Sequence, residues 1–547
     1  MYSLLKAGLL ALLLHTRTVI CAALAAPTIT LDSGTFTGTV GSAHTQSFLG
    51  IPFAQPPVAD LRFRLPVANT PYAGSHDATA FGLACPQQAL TLPILTGVAQ
   101  EAVDDILNTI FAILSPASED CLTLNVVKPA TATPTSNLPV VMWIFGGGFE
   151  VGSPNIYDGT VIVERSLAIG EPVIFVSMNY RLSAFGFLAS EEVREAGVGN
   201  LGLQDQREAM RWVQKYISNF GGDPSKVTIW GESAGAISVA MHMLANDGDT
   251  EGLFRAAFME SGSPIPVGPV ENGQIFYDQI VQQVGCAGSV DTLECLRTVP
   301  FDVLKAAQDA TPFIFSFESL RLTWLPRADG TFISDNPQRL VQQGKVANIP
   351  FVTGDCDDEG TLFSFSTTNL TTDAEFLGYI QTIWAPGIST AQLNTLSEVY
   401  SSDILDGSPF DTGILNALTP QFKRIAAFQG DAVFQAPRRF FQQSQSGKQN
   451  QWAFLSKRDK AVPLLGSFHS SDIENVFGDG ELTDFLVNFA TTLNPNGPTV
   501  PHWPAYTTAT PNMMTFLDGL IPTVITQDTY RASAIQFLTN LTLEFPA

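Results

Sequence analysis

Gly231-Glu232-Ser233-Ala234-Gly235 sets a serine at the centre of a short pattern that follows the apolar run Val227-Thr228-Ile229-Trp230 and leads into Ala236-Ile237-Ser238-Val239. The stretch reads as strand, sharp turn and helix, with Ser233 at the apex. A serine hydroxyl is a weak nucleophile unless a base takes its proton and hydrogen-bond donors await the oxyanion. Glycines two residues before and after Ser233 remove side chains that would clash in so tight a turn. Plain surface turns also carry this pattern, and it is the flanking strand and helix that point to nucleophilic chemistry.

Such a serine needs three further parts. For the oxyanion, Gly146-Gly147-Gly148-Phe149 follows the apolar Trp143-Ile144-Phe145. The amides of Gly147 and Gly148, with that of Ala234, are the expected donors. For the base there are six histidines. His15 falls in an apolar leader, His242 is on the helix that Ser233 begins, and His44, His76 and His502 have ordinary polar surroundings. His469 lies in a Gly-bounded loop, Leu465-Gly466-Ser467-Phe468-His469-Ser470-Ser471-Asp472, after the last expected strand, and the order serine, acid, histidine favours it. The orienting acid then belongs between the two, where Ile349 to Thr353 runs into Asp355, Asp357, Asp358 and Glu359. Spacing does not choose among these four. The segment lacks calcium-loop spacing, and serine chemistry requires no metal or other cofactor.

The elements that must position these groups are apolar, β-rich runs alternating with helical patterns. Strands are expected at Leu138 to Phe145, Pro172 to Met178, Val227 to Trp230, Ala256 to Met259, Ile349 to Thr353 and Trp452 to Leu455. Between Gln204 and Phe220, Met210, Val213, Tyr216, Ile217 and Phe220 recur at helical spacing until Gly221-Gly222-Asp223-Pro224 stops them. Buried strands separated by helices imply an α/β fold with a large, mostly parallel central sheet flanked by helices, as one domain over residues 26–547. Ser233 then falls at the carboxyl end of a strand, where active groups gather in open α/β sheets.

Bulk properties narrow the function. A 45% hydrophobic and 15% charged composition is that of a globular chain, and a formal net charge of -24 argues against nucleic-acid partners. Lys6 precedes the apolar run Ala7 to Leu14, and Ala23-Leu24-Ala25 offers a small-x-small cleavage site, so residues 1–25 are expected to be a signal peptide and the mature chain secreted. No later segment has the length and purity of a membrane span. Cys85, Cys121, Cys286, Cys295 and Cys356 remain after the leader. Nearest-neighbour pairing would join Cys85 to Cys121 and Cys286 to Cys295, other pairings being open at this level, and would leave Cys356 as an unreactive buried thiol.

Three longer segments carry a family resemblance: Glu119-Asp120-Cys121-Leu122-Thr123-Leu124-Asn125-Val126, Asn219 through the Ser233 turn, and Gly407-Ser408-Pro409-Phe410-Asp411-Thr412-Gly413. With them, the chain resembles the type-B carboxylesterase/lipase family, and within it the Candida rugosa-like fungal lipases and sterol esterases. The resemblance implies an α/β-hydrolase fold. It selects Glu359 as the acid through its Gly-Asp-x-x-x-Glu-Gly context, and it supports His469, the Gly147, Gly148 and Ala234 donors and both disulfides. It further implies that Cys85 and Cys121 close a lid within residues 86–120. There Leu90, Leu92, Ile94, Leu95, Val98, Val103, Ile106, Leu107, Ile110, Phe111, Ile113 and Leu114 make one face strongly apolar. Phe313, Phe315, Phe317, Phe363 and Phe365 could line an acyl tunnel. The expectation is a secreted serine ester hydrolase acting at an oil-water interface on triacylglycerols and sterol or other bulky apolar esters, without integral membrane segment, and able to pair with another copy through its open lid. Alternatives are a carboxylesterase on soluble aryl or feruloyl esters, or a binding protein on the same scaffold. The sequons at Asn369 and Asn540 are candidate glycosylation sites.

Overall fold

The computed structural model describes residues 26–42, 44–91 and 116–547. The expected leader and most of the apolar loop between Cys85 and Cys121 lie outside the described residues. Among those described, a small sheet pairs β1 (Thr28–Leu31), β2 (Ser33–Thr37) and β5 (Ala73–Asp77). The large sheet has eleven strands. They are β3 (Thr39–Val40), β4 (Thr45–Pro52), β6 (Thr123–Pro129), β7 (Leu138–Ile144), β8 (Ile174–Met178), β9 (Gly222–Glu232), β10 (Ala256–Glu260), β11 (Phe351–Cys356), β12 (Gln451–Lys457), β13 (Asn512–Leu517) and β14 (Thr523–Gln527).

Their spatial order is β14-β13-β12-β11-β10-β9-β7-β8-β6-β4-β3. The seven strands from β13 to β8 run parallel. Antiparallel strands flank them, β14 on one side and β6, β4 and β3 on the other. All six expected strands are present within this sheet. The parallel ones are buried nearly throughout, because helices cover both faces, which is why they read as continuous apolar runs. The expected helix is Leu201–Tyr216 with a 3-10 turn over Ile217–Phe220, ended by Gly221 at φ 97°.

The chain reverses direction across the sheet at β7. From β7 it crosses through helix Gly159–Ala168 to β8 on one side, and from β9 through helix Ala234–Gly248 to β10 on the other. Right-handed crossovers in opposite directions send these two helices to opposite faces. The loops after β7 and β9 therefore part at their carboxyl ends and leave a crevice, the place where open α/β sheets bind ligands.

Candidate active site

Ser233 sits between the end of β9 and the first turn of helix Ala234–Gly248, at φ 56° and ψ -126°. A non-glycine residue in that conformation is strained by about 1–3 kcal/mol and persists only where its surroundings enforce it. Here they do. The Ser233 amide donates to the Glu260 carbonyl at 2.9 Å. A methyl group on Gly231 would come within 2.5 Å of the Gly235 carbonyl carbon, and one on Gly235 within 1.9 Å of the Ile144 oxygen. The two glycines let the turn lie flat against β7, and the hydroxyl stands clear of its own backbone.

The glycine run after β7 packs directly on this turn. A Cβ on Gly146 would lie 2.8 Å from the Ser233 Cβ, and Gly147 and Gly148 take φ values of 112° and 64°. Tyr180 anchors the run by donating to the Phe145 carbonyl at 2.8 Å. Among the described residues no acceptor takes the amide hydrogens of Gly147, Gly148 or Ala234. Ala234 also begins a helix, so its amide carries the positive end of the helix dipole.

His469 is fully buried. Its Nε2 lies 2.7 Å from the Ser233 Oγ and its Nδ1 lies 2.5 Å from the Glu359 Oε2. Phe434 and Phe363 flank the imidazole, with ring centroids at 4.6 and 5.1 Å. Of the four carboxylates at and just beyond the end of β11, only Glu359 reaches the histidine. Asp355 pairs with Arg438, Asp357 with Lys457 and Lys460, and Asp358 with Lys460. The Glu359 Oε1 accepts the Cys356 amide at 2.6 Å, so both of its oxygens are engaged. Burial pushes Glu359 up, while the Ser261 hydroxyl and the Cys356 amide favour its ionised form. Burial lowers His469, against the pull of Glu232, Asp472 and Asp355, and this favours a neutral imidazole.

Sequence reasoning missed Glu232 and Ser470. Glu232 is buried with an oxygen 3.4 Å from His469 Nε2, and it accepts a hydrogen bond from the Ser470 hydroxyl; burial pushes it up to about 8. Each is the chain neighbour of a residue singled out above, which was the available signal. Among the described residues, the other histidines stay apart from this cluster. His242 bonds Gln206 at 2.8 Å, and His76 stacks on Phe36. Cys85 is bonded to Cys121 and Cys286 to Cys295, while Cys356 is a buried free thiol that burial pushes well up. Asn369 and Asn540 are exposed.

Ser233 opens on an apolar pocket. Gly148 and Ala234 stand at its reactive end, and Ile314, Phe363, Trp384, Phe434, Leu538, Leu541 and Phe545 line it. Of the five phenylalanines proposed for a tunnel, Phe363 lines this pocket. Phe315 and Phe365 are packed into the neighbouring core, Phe313 is half-buried against it, and the more exposed Phe317 meets Tyr379 edge-on.

A parallel sheet with a strained serine turn, an acid and a histidine at the ends of its strands defines an α/β-hydrolase. The crystal structure of Aspergillus niger EstA has the same fold, with a TM-score of 0.81 at 29% identity over 96% of this chain and 99% of that one. Residues 25–537 match the model of the carboxylesterase family, and the chain belongs to that family. It is 44% identical to Lipase 2 of Diutina rugosa over 499 residues, 89% of this chain and 90% of that protein. It is 40% identical to Secreted lipase 1 of Botryotinia fuckeliana over 94% of this chain and 93% of that protein. It is 39% identical to Secreted triacylglycerol lipase LIP1 of Gibberella zeae, over 86% and 82% respectively.

Proposed function

We propose that the protein is a secreted serine lipase that hydrolyses triacylglycerols and bulky apolar esters, sterol esters included. The observation that carries this reading is a serine hydroxyl one hydrogen bond from a buried imidazole, itself one hydrogen bond from a buried carboxylate, at the mouth of an apolar pocket. In this reading His469 takes the Ser233 proton through Nε2 as the oxygen attacks the ester carbonyl. Glu359 holds Nδ1–H and stabilises the imidazolium that forms. The amides of Gly147, Gly148 and Ala234 receive the oxyanion. His469 then returns the proton to the leaving alcohol, and the same base activates the water that frees the acid. The apolar lining takes the acyl chain and excludes water from it.

Secretion follows from reading residues 1–25 as a leader, and the names of the relatives support it. No helix among the described residues is long and apolar enough to cross a membrane. Glycans at Asn369 and Asn540, a lid within residues 86–120 and pairing of two copies through that lid belong to the same proposal. Glycosidase treatment tests the glycans, and sedimentation with and without detergent tests the pairing.

The deciding experiment compares emulsified long-chain triglyceride, cholesteryl ester and a soluble short-chain ester, using the wild type and Ser233→Ala. Turnover of the emulsified esters is expected, as is its loss in the variant with an unchanged melting curve. Preference for the soluble ester alone would favour a carboxylesterase of soluble substrates. A folded Ser233→Ala with near-normal turnover removes the nucleophile assignment.

A further inference from the structure

Asp358 precedes the acid in sequence yet touches neither Ser233 nor His469. Its carboxylate is fully buried. Oδ1 accepts the Ser408 hydroxyl at 3.0 Å and the Phe410 amide at 2.8 Å. Oδ2 accepts the Ser467 amide at 2.9 Å and the Lys460 ammonium at 2.6 Å. The Asp358 amide in turn donates to the Ser467 carbonyl at 2.9 Å, and its backbone forms a parallel bridge with Phe468. One side chain thus ties together the acid turn, the loop of Gly407 to Gly413, the chain after β12 and the histidine loop. Glu359 is one residue from this tie and His469 two residues beyond Ser467. Space around it is closed as well, since a Cβ on Gly466 would lie 2.3 Å from Oδ2.

We propose that Asp358 is a positioning residue that sets His469 against Glu359 by gathering these four segments on one buried carboxylate. The inference rests on the reading of Glu359 and His469 as acid and base. It gives a role to the Gly407–Gly413 motif, which supplies two of the four donors. It also separates the two aspartates before Glu359. Asp357 is equally withdrawn from water, but its ion pairs go to Lys457 at 3.3 Å, Lys460 at 2.6 Å and Arg531 at 3.9 Å, and its amide donates to the Ser456 carbonyl, none of them in the histidine loop. Asp357 is bound to β12, its flank and Arg531, Asp358 to the histidine loop.

In Asp358→Asn the new amide faces an N–H donor in either orientation, Ser467 in one and Phe410 in the other, so the tie is broken without loss of volume. The expected result, on a soluble ester, is a kcat lower by about 10²-fold, the usual consequence of an ångström-scale misplacement of a catalytic group. KM changes by less than about twofold, because the pocket is untouched. Gly466→Ala, which presses on Oδ2, should reproduce the kcat loss, whereas Asp357→Asn should lower the melting temperature and keep kcat. Wild-type kcat in a folded Asp358→Asn overturns the proposal, and so does an equal kcat loss in Asp357→Asn. Should Asp358→Asn fail to fold, Gly466→Ala and Ser408→Ala decide, and wild-type kcat in both overturns it. Ser233→Ala assayed alongside separates the two levels. Normal turnover in Ser233→Ala removes the triad reading itself, whereas an inactive Ser233→Ala beside a fully active Asp358→Asn removes only this inference.

Discussion

His469 can accept the Ser233 proton only as a neutral imidazole. Burial lowers its proton affinity, so its folded-state pKa lies below the ordinary value of about 6.5. The acid limb of kcat/KM on a soluble ester is therefore expected to be centred below about pH 6.5. A pH–rate profile checks this, and an acid limb centred above about pH 6.5 contradicts it. The chemical types at the site were legible in the chain. Ser233 was marked by its glycines, and His469 by elimination and order. The choice of Glu359 over Asp355, Asp357 and Asp358 was not legible from spacing, since four carboxylates in five residues differ only in where each side chain points. Family resemblance selected Glu359, and the fold gives the reason: the other three are held by Arg438, Lys457 and Lys460.

At the scale of elements, the turn beyond β11 depends on a buried ion network. Arg438 Nε lies 2.7 Å from Asp355, and its other nitrogens reach both oxygens of Asp528 at 2.9 and 3.0 Å, all three side chains being fully buried or nearly so. Next to it, Gln435 donates to the Cys356 carbonyl at 2.8 Å and so helps fix the residue whose amide holds Glu359. Arg438→Met leaves Asp355 buried without a cation and Asp528 with Arg439 alone, and is expected to destabilise the protein by about 3–5 kcal/mol. Denaturant unfolding measures it, and a loss below about 1 kcal/mol would show that the aspartates find other partners. Six of the seven parallel strands were legible because burial on both faces writes a continuous apolar run, whereas β13, with Asn512 and Thr515 among its six residues, was not. The short β3 and the edge strand β14 were not, since a strand with one open side carries a mixed pattern.

For the whole molecule, stability should depend on pH in an uncommon direction. Burial raises Glu150 and Glu232 to about 8 and raises Asp472 as well. A carboxyl whose folded pKa lies above its unfolded value binds a proton that the unfolded chain has released, so folding is favoured at low pH and this stabilisation is lost as pH rises through the folded value. The buried histidines act oppositely, but only below about pH 6.5. The melting temperature is therefore expected to fall between about pH 6.5 and 8, and Glu150→Gln to flatten the slope. A flat or rising curve in calorimetry contradicts this. By itself the sequence determined the α/β class, the candidate nucleophile, its glycine cradle and the candidate histidine, because local patterning and residue type carry that information. Residue pattern left open which carboxylate meets His469 and which cysteines join, choices that family resemblance made and the tertiary structure accounts for, and only the tertiary structure decided which phenylalanine faces the pocket. Those choices rest on side-chain direction at strand ends and on meetings between segments up to 236 residues apart, as for Ser233 and His469. Such meetings are set by the register of the sheet and not by any local stretch of chain.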